Sequence, residues 1–238
     1  MTPCAPRTCE PEGQLASTAH APPRGCLVTP LTLKSDVGTL QGEALGLVER
    51  RYADSGLAVT RERFSSRNED GDVVCTARDG DRIVGTLTVR FDGAGGLKAD
   101  LLFQAELDAW RGAGVTLCEF GNLAVDRHSH PPRCLLAHLF HLAYLHAHRR
   151  AGCERGVIEV HPRHVAFYWR VLGARLHTTA RHNPRVEAPA VLMSFDLSTV
   201  SERIARWSGC PELLAQPHGL PPLARAPATE AVMRAKSR

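Results

Sequence analysis

The sequence predicts an α/β fold, a mixed sheet flanked by helices on both faces, and three observations carry that expectation. Runs of strand length alternate with runs of helical spacing in the order β-α-β-β-(α)-β-α-β-α-β-β. Two adjacent β-rich runs, residues 72–78 and 82–91, are joined by Asp79-Gly80-Asp81, and residues 115–125 are apolar on both alternations except at Glu119 and Asn122. The first pattern packs helices on a sheet. The second gives an antiparallel hairpin, because the Asp-Gly pair tolerates the positive φ angles of a tight turn. The third gives a central strand covered on both sides.

Taken in order, residues 27–33 read as a short strand and 40–52 as a helix ending before the Asp54-Ser55-Gly56 turn. After the hairpin, the glycine-rich stretch 92–96 ends the second strand. Residues 101–111 have apolar side chains at helical spacing and stop at Gly112, as a short helix over one sheet face does. The central strand leads into a helix whose first turn accommodates Pro131 and Pro132, with Ser129 as its cap and Leu135, Leu139, Leu142 and Ala143 forming an apolar stripe that runs through to His148. A strand at 156–160, a helix at 163–172 and strands at 175–179 and 190–196 complete the expected fold.

One domain is expected over residues 26–208, between a disordered N-terminal tail, 1–25, and a flexible C-terminal tail, 209–238. The first 25 residues hold five prolines and no apolar run, so they provide neither a secretory segment nor a membrane span, and a cytoplasmic protein is expected. The eight cysteines lie at unrelated spacings without a CxxC pair and read as free thiols. With 29 basic and 25 acidic residues the net charge is +4, too mild to imply nucleic acid and compatible with an acidic protein partner.

The chemistry concentrates in Cys118-Glu119-Phe120-Gly121-Asn122-Leu123-Ala124-Val125-Asp126. A carboxylate inside an apolar strand is costly to bury, and two readings justify Glu119. Desolvation raises a carboxyl pKa toward neutrality, which suits a general base that deprotonates an amine. Alternatively Glu119 is one half of an ion pair with Arg82 or Arg90 of the neighbouring hairpin.

A second block, His161-Pro162-Arg163-His164-Val165-Ala166-Phe167-Tyr168-Trp169-Arg170-Val171-Leu172-Gly173, reads as a strand end, a turn and an amphipathic helix closed by glycine. Its Ala-Phe-Tyr-x-x-x-Leu-Gly pattern resembles the last helix of the GNAT superfamily, whose tyrosine often protonates the leaving thiolate. Tyr168 occupies that position, and by its residue type alone would be an aromatic packed on the sheet. Taken with Glu159-Val-His-Pro-Arg-His-Val-Ala-Phe-Tyr and Asn183-Pro-Arg-Val-Glu-Ala-Pro-Ala, these blocks resemble the FeeM-type N-acyl amino acid synthases, relatives of the acyl-homoserine-lactone synthases, over residues 73–197.

The resemblance implies a GNAT-like fold and transfer of a fatty acyl group from acyl carrier protein to the α-amine of an amino acid. No tightly bound cofactor is implied; the acyl-phosphopantetheine thioester, on a carrier protein or as acyl-CoA, is a substrate. It implies Glu119 as base, backbone N–H groups of Leu123, Ala124 and Val125 at the oxyanion, and Tyr168 as acid. It also implies an acyl channel between the central strands and residues 101–107. Arg127 and Arg133 are candidates for the donor's phosphate, and Asn122, Arg90 and Arg185 for the acceptor.

Two departures qualify the resemblance. Asn122 stands where the lactone synthases have arginine, so their acceptor recognition does not transfer. The glycine-rich loop that holds a CoA pyrophosphate is replaced by Asp126-Arg127-His128-Ser129-His130-Pro131-Pro132-Arg133, whose prolines donate no hydrogen bond, and this favours the single phosphodiester of a carrier protein. Arg149, Arg150, Arg155, Arg163 and Arg170 offer positive groups to such an acidic partner. Rival readings are a CoA-dependent acetyltransferase, an inert GNAT-like binding module, and metal binding by His138, His141 and His148. The histidines lack a carboxylate or cysteine at ligand spacing, so no metal is expected. Cys134 reads as a small buried thiol rather than a nucleophile.

Overall fold

A computed structural model describes residues 31–38, 40–57, 71–126, 128 and 131–209. The expected tail at 1–25, all of the expected tail at 209–238 except Gly209, the beginning of the first expected strand, Arg127 and the cap Ser129 lie outside these described residues.

The strands are β1 (Thr32–Val37), β2 (Val73–Asp79), β3 (Arg82–Phe91), β4 (Leu117–Val125), β5 (Arg155–Val160), β6 (Arg175–Leu176), β7 (Arg181–Asn183) and β8 (Ala188–Asp196). The helices are α1 (Gly42–Ala53), α2 (Asp100–Gly112), α3 (Pro132–Tyr144), α4 (Val165–Leu172) and α5 (Leu197–Ser208). Sheet order is β1-β2-β3-β4-β5-β8-β6, with β7 also paired to β8. Every pairing is antiparallel except β4 with β5, so the sheet is mixed, as expected.

One face of the sheet, including Cys75, Leu87, Val89, Cys118, Phe120, Ile158 and Met193, packs on Leu135, Leu139 and Phe140 of α3 and on Val200 and Ile204 of α5. The opposite face has a divided cover. α1 lays Ala44, Leu47 and Val48 over Val74, Ile83 and Ala124. α2 lays Phe103 and Leu107 over Leu117, Val157 and Leu192. Each helix buries one apolar stripe, and the sheet between them is dry on both sides.

Several elements differ from the sequence expectation. The edge strand β1 is the alternating segment Thr32–Val37. An edge strand covered on one face needs only alternate apolar residues, and here Leu33 and Val37 pack on the core while Ser35 is buried between them. β7 is a further short strand against β8. α5 is a helix beyond the elements expected from the sequence, and its Leu197, Val200 and Ile204 recur at helical spacing. Its caps are also explicit: the Ser198 N–H donates to Asp196 Oδ1 at 2.8 Å, and Gly209 closes it at φ +72°. The helix after β4 also ends differently, since α3 passes into a π-helical turn at Leu145–Arg150.

The central strands position the site. β4 is paired with β5 only at Leu117↔Arg155, Cys118↔Gly156 and Glu119↔Val157, after which the two strands diverge. The close approach at this paired end uses a glycine: a Cβ on Gly156 would meet the Phe195 ring at 2.3 Å. On its other edge β4 carries a bulge, because Gly121 pairs with Thr88 and Ala124 with Thr86, placing two residues opposite Leu87 alone. Asn122 takes the left-handed conformation there, at φ 51°. The extra residue inverts the alternation, so Leu117 and Glu119 share a face with Ala124, whereas Phe120 shares one with Leu123 and Val125.

Candidate active site

The divergence of β4 and β5 opens a cavity of about 530 Å³. Its walls are Glu119–Val125 of β4 and Ile158, Glu159 and Val160 of β5; Tyr52 of α1 and Lys98 ahead of α2 line it, as do Leu136 and Phe140 of α3, Tyr168 of α4, Asn183 of β7 and Arg185 of the β7–β8 connection. Registered residues on parallel strands share a face, and alternation carries Glu159 onto the face of Val157. Both carboxylates therefore belong to the α1/α2 side of the sheet. Phe140 and Tyr168 come from the opposite side, in edge-to-face contact with ring centroids 6.4 Å apart. The cavity thus passes through the sheet at the wedge.

Glu119 is buried and accepts a hydrogen bond from the Ala99 N–H at 3.1 Å. The two arginines considered as its ion-pair partners hold other carboxylates. Arg90 grips the buried Asp72 through Nε and Nη2, at 3.1 and 2.8 Å, and Arg82 pairs with Asp126. Burial pushes the Glu119 carboxyl above its ordinary pKa, outweighing the Ala99 hydrogen bond and the nearby positive charges of Arg185, Lys98 and Arg90.

Glu159 has no role in the sequence reading, yet it lines the same cavity. It accepts hydrogen bonds from Asn183 Nδ2 and Arg185 Nη2, and Asn183 Oδ1 in turn accepts from the Arg185 backbone N–H at 2.8 Å. Burial raises its carboxyl to about 7; Arg185 opposes the rise and the neighbouring Glu119 adds to it. Tyr52 is raised to about 12, first by burial and then by the charge of Glu159. Tyr168 is raised as well, by burial and by its nearness to Tyr52, so both phenols are neutral and protonated near neutral pH. The signal for Glu159 was the one that marked Glu119, a carboxylate within an otherwise apolar strand.

Asn122, Leu123, Ala124, Val125 and Arg185 all line the cavity. The Asn122 side chain donates to Thr88 Oγ1 at 3.2 Å across the bulge. Two other candidates lie elsewhere. Arg90 is buried against Asp72 and is not among the residues that line the cavity. Arg133 is exposed, with its guanidinium 5.1 Å from the centre of the Trp207 ring. Residues 101–107 do not wall the cavity either: Phe103 and Leu107 are consumed by the core under α2, and Leu136, Phe140 and Phe167 supply the apolar wall instead. Cys134 is half-buried, with Sγ 3.6 Å from His138 Nδ1. Among the described residues no group of three or more His, Cys, Asp or Glu side chains could hold a metal ion, and no helix is long and apolar enough to cross a membrane. His138 and His148 spend their Nδ1 atoms on the backbone carbonyls of Cys134 and Cys153, each at 2.8 Å.

The family model of the N-acyl amino acid synthase FeeM matches residues 43–196. Among solved structures, the chain is similar to FeeM, an N-acyl amino acid synthase from uncultured soil microbes. The TM-score is 0.62 and the identity 23%, over 73% of this chain and 94% of that one. It is also similar in fold to the AHL synthase LasI, with a TM-score of 0.51 and 11% identity over 76% of this chain and 96% of the other. No curated protein matches the chain. The family match spans α1 to β8, including both strands of the wedge and the tyrosine helix, so it covers the cavity just described. The chain belongs to the FeeM family of N-acyl amino acid synthases and is an N-acyltransferase built on a GNAT-like fold.

Proposed function

We propose that this N-acyltransferase moves a fatty acyl group from the thioester of an acyl carrier protein to the α-amine of an amino acid. The observation that carries the reading is the buried carboxylate of Glu119, at the point where β4 and β5 part, in a cavity that also holds Tyr168.

The acceptor enters as an ammonium ion, which is not nucleophilic. Glu119, with its proton affinity raised by burial, takes one proton, and the freed amine attacks the thioester carbonyl carbon. The developing oxyanion lies against backbone N–H groups of the β4 bulge, where the ladder is interrupted. On collapse the C–S bond breaks, Tyr168 gives its proton to the sulfur, and the second amine proton returns the phenolate to its neutral form. The products are an amide, a free thiol and one proton passed by Glu119 to solvent.

The donor assignment rests on the start of α3. Pro131 and Pro132 stand at its N-cap and first position without a side-chain cap, so this helix end offers fewer amide donors than a pyrophosphate grip requires. The apolar wall formed by Leu136, Phe140 and Phe167 suits a hydrocarbon chain. The test is to incubate the purified chain with mixed amino acids and either long-chain acyl carrier protein or the matching acyl-CoA, and to identify products by mass spectrometry. An N-acyl amino acid formed much faster from the carrier protein is expected. Equal or faster transfer from acyl-CoA contradicts the donor assignment, and no amide from either contradicts the reading.

A further inference from the structure

The cavity contains a second acidic centre that the transfer chemistry above leaves unused. Among its described lining residues only Glu119 and Glu159 are acidic, and they come from adjacent parallel strands on one face of the sheet. Glu159 lies two residues beyond Val157, the register partner of Glu119, an offset of roughly 7 Å along the strand. Its carboxylate is fixed by Asn183 and Arg185, and Asn183 also fixes the backbone of Arg185, so the three residues form one preorganised unit. Glu159 engages Arg185 through Nη2, and the planar guanidinium carries five donors, enough for a second carboxylate beside it.

An α-amino acid carries an ammonium and a carboxylate on one carbon. Only a site presenting a negative and a positive group side by side satisfies both. We propose that Glu159, Asn183 and Arg185 form the acceptor-recognition site, in which Glu159 and Glu119 flank the α-ammonium and Arg185 takes the α-carboxylate, selecting zwitterionic amino acids over simple amines and esters. Glu159 here is a binding and positioning residue, distinct from the base, and its perturbed proton affinity agrees with two carboxylates sharing one small dry space. The inference rests on the proposed transfer to an amino acid.

Steady-state kinetics with the intact chain tests it, using a preferred amino acid, its methyl ester and the corresponding decarboxylated amine as acceptors. Glu159→Gln is expected to raise the acceptor KM about tenfold or more while kcat and the donor KM stay within about threefold. Arg185→Met is expected to raise the KM for the amino acid similarly and to erase most of the preference for it over its methyl ester. The unchanged donor KM reports an intact site, and Arg185→Met carries the test should Glu159→Gln fail to fold. An acceptor KM within twofold of wild type in Glu159→Gln, or full discrimination against the ester in Arg185→Met, overturns the inference. A wild-type chain that acylates no amino acid refutes instead the reading on which it rests.

Discussion

Glu119 and Val157 are the last registered pair between the two central parallel strands, and everything beyond them on β4 and β5 faces an opening. Beyond this pair the facing edges of β4 and β5 border the cavity, while the bulge at Asn122 lies on the other edge of β4, against β3. The carboxylate is therefore held at the apex of a cavity, where it accepts a hydrogen bond from a main-chain N–H, that of Ala99.

Tyr168 is expected to act at the sulfur. Tyr168→Phe should lower kcat by roughly 10²-fold with an alkyl thioester donor, with little change in either KM. An aryl thioester, whose thiolate leaves without a proton, should recover most of that loss. Equal losses with both donors would assign Tyr168 to packing against Phe140 instead.

The titration of Glu159 gives a stability prediction with a defined sign. Its folded pKa is raised from 4.5 to about 7, so between those values the native state binds more protons than the unfolded state. This group's contribution to stability is complete below pH 4.5 and is lost as pH rises through about 7. Comparing wild type with Glu159→Gln by denaturant unfolding, the difference should move in favour of the variant between pH 5 and 8, by at most about 3 kcal/mol. A difference independent of pH would show that Glu159 titrates as an ordinary surface carboxylate.

Asn122 tests the bulge. Its φ of 51° suits asparagine or glycine and strains a β-branched residue. Asn122→Gly should keep the fold and lose only the bond to Thr88, whereas Asn122→Val should cost about 1–3 kcal/mol and lower kcat as the bulge amides shift. Thermal melts and kcat measured on both variants check this; equal behaviour would mean that the backbone conformation is immaterial.

The parts of the fold that were legible in the sequence are those where one local rule decides. Asp79-Gly80-Asp81 specified the hairpin, with Gly80 at φ +57°, and the Phe167–Leu172 stripe ahead of Gly173 specified α4. What was hidden depends on tertiary pairing. The one-residue shift in β4 leaves no mark in composition, since asparagine fits a bulge and a loop equally well. α5 is hard to read from sequence despite its cap and periodicity, because most of its positions are polar and only one stripe is buried. The same division runs through the site. Glu119 stands out in the sequence as a misplaced charge, whereas Arg90 reads only as one of several acceptor candidates, because nothing local to it reveals its pairing with Asp72, 18 residues away. Glu159 went without a role because Asn183 and Arg185 reach it only after β8 folds back along β5.

The central claim is that Glu119 is the base, and the rate of Glu119→Gln tests it most directly. Glutamine keeps an oxygen for the Ala99 N–H and the volume of the side chain, removing only the capacity to take a proton. With acyl carrier protein and amino acid both saturating, kcat should fall by roughly 10²-fold or more while the thermal midpoint holds or rises. A variant that forms N-acyl amino acid at a rate near that of wild type would contradict the account.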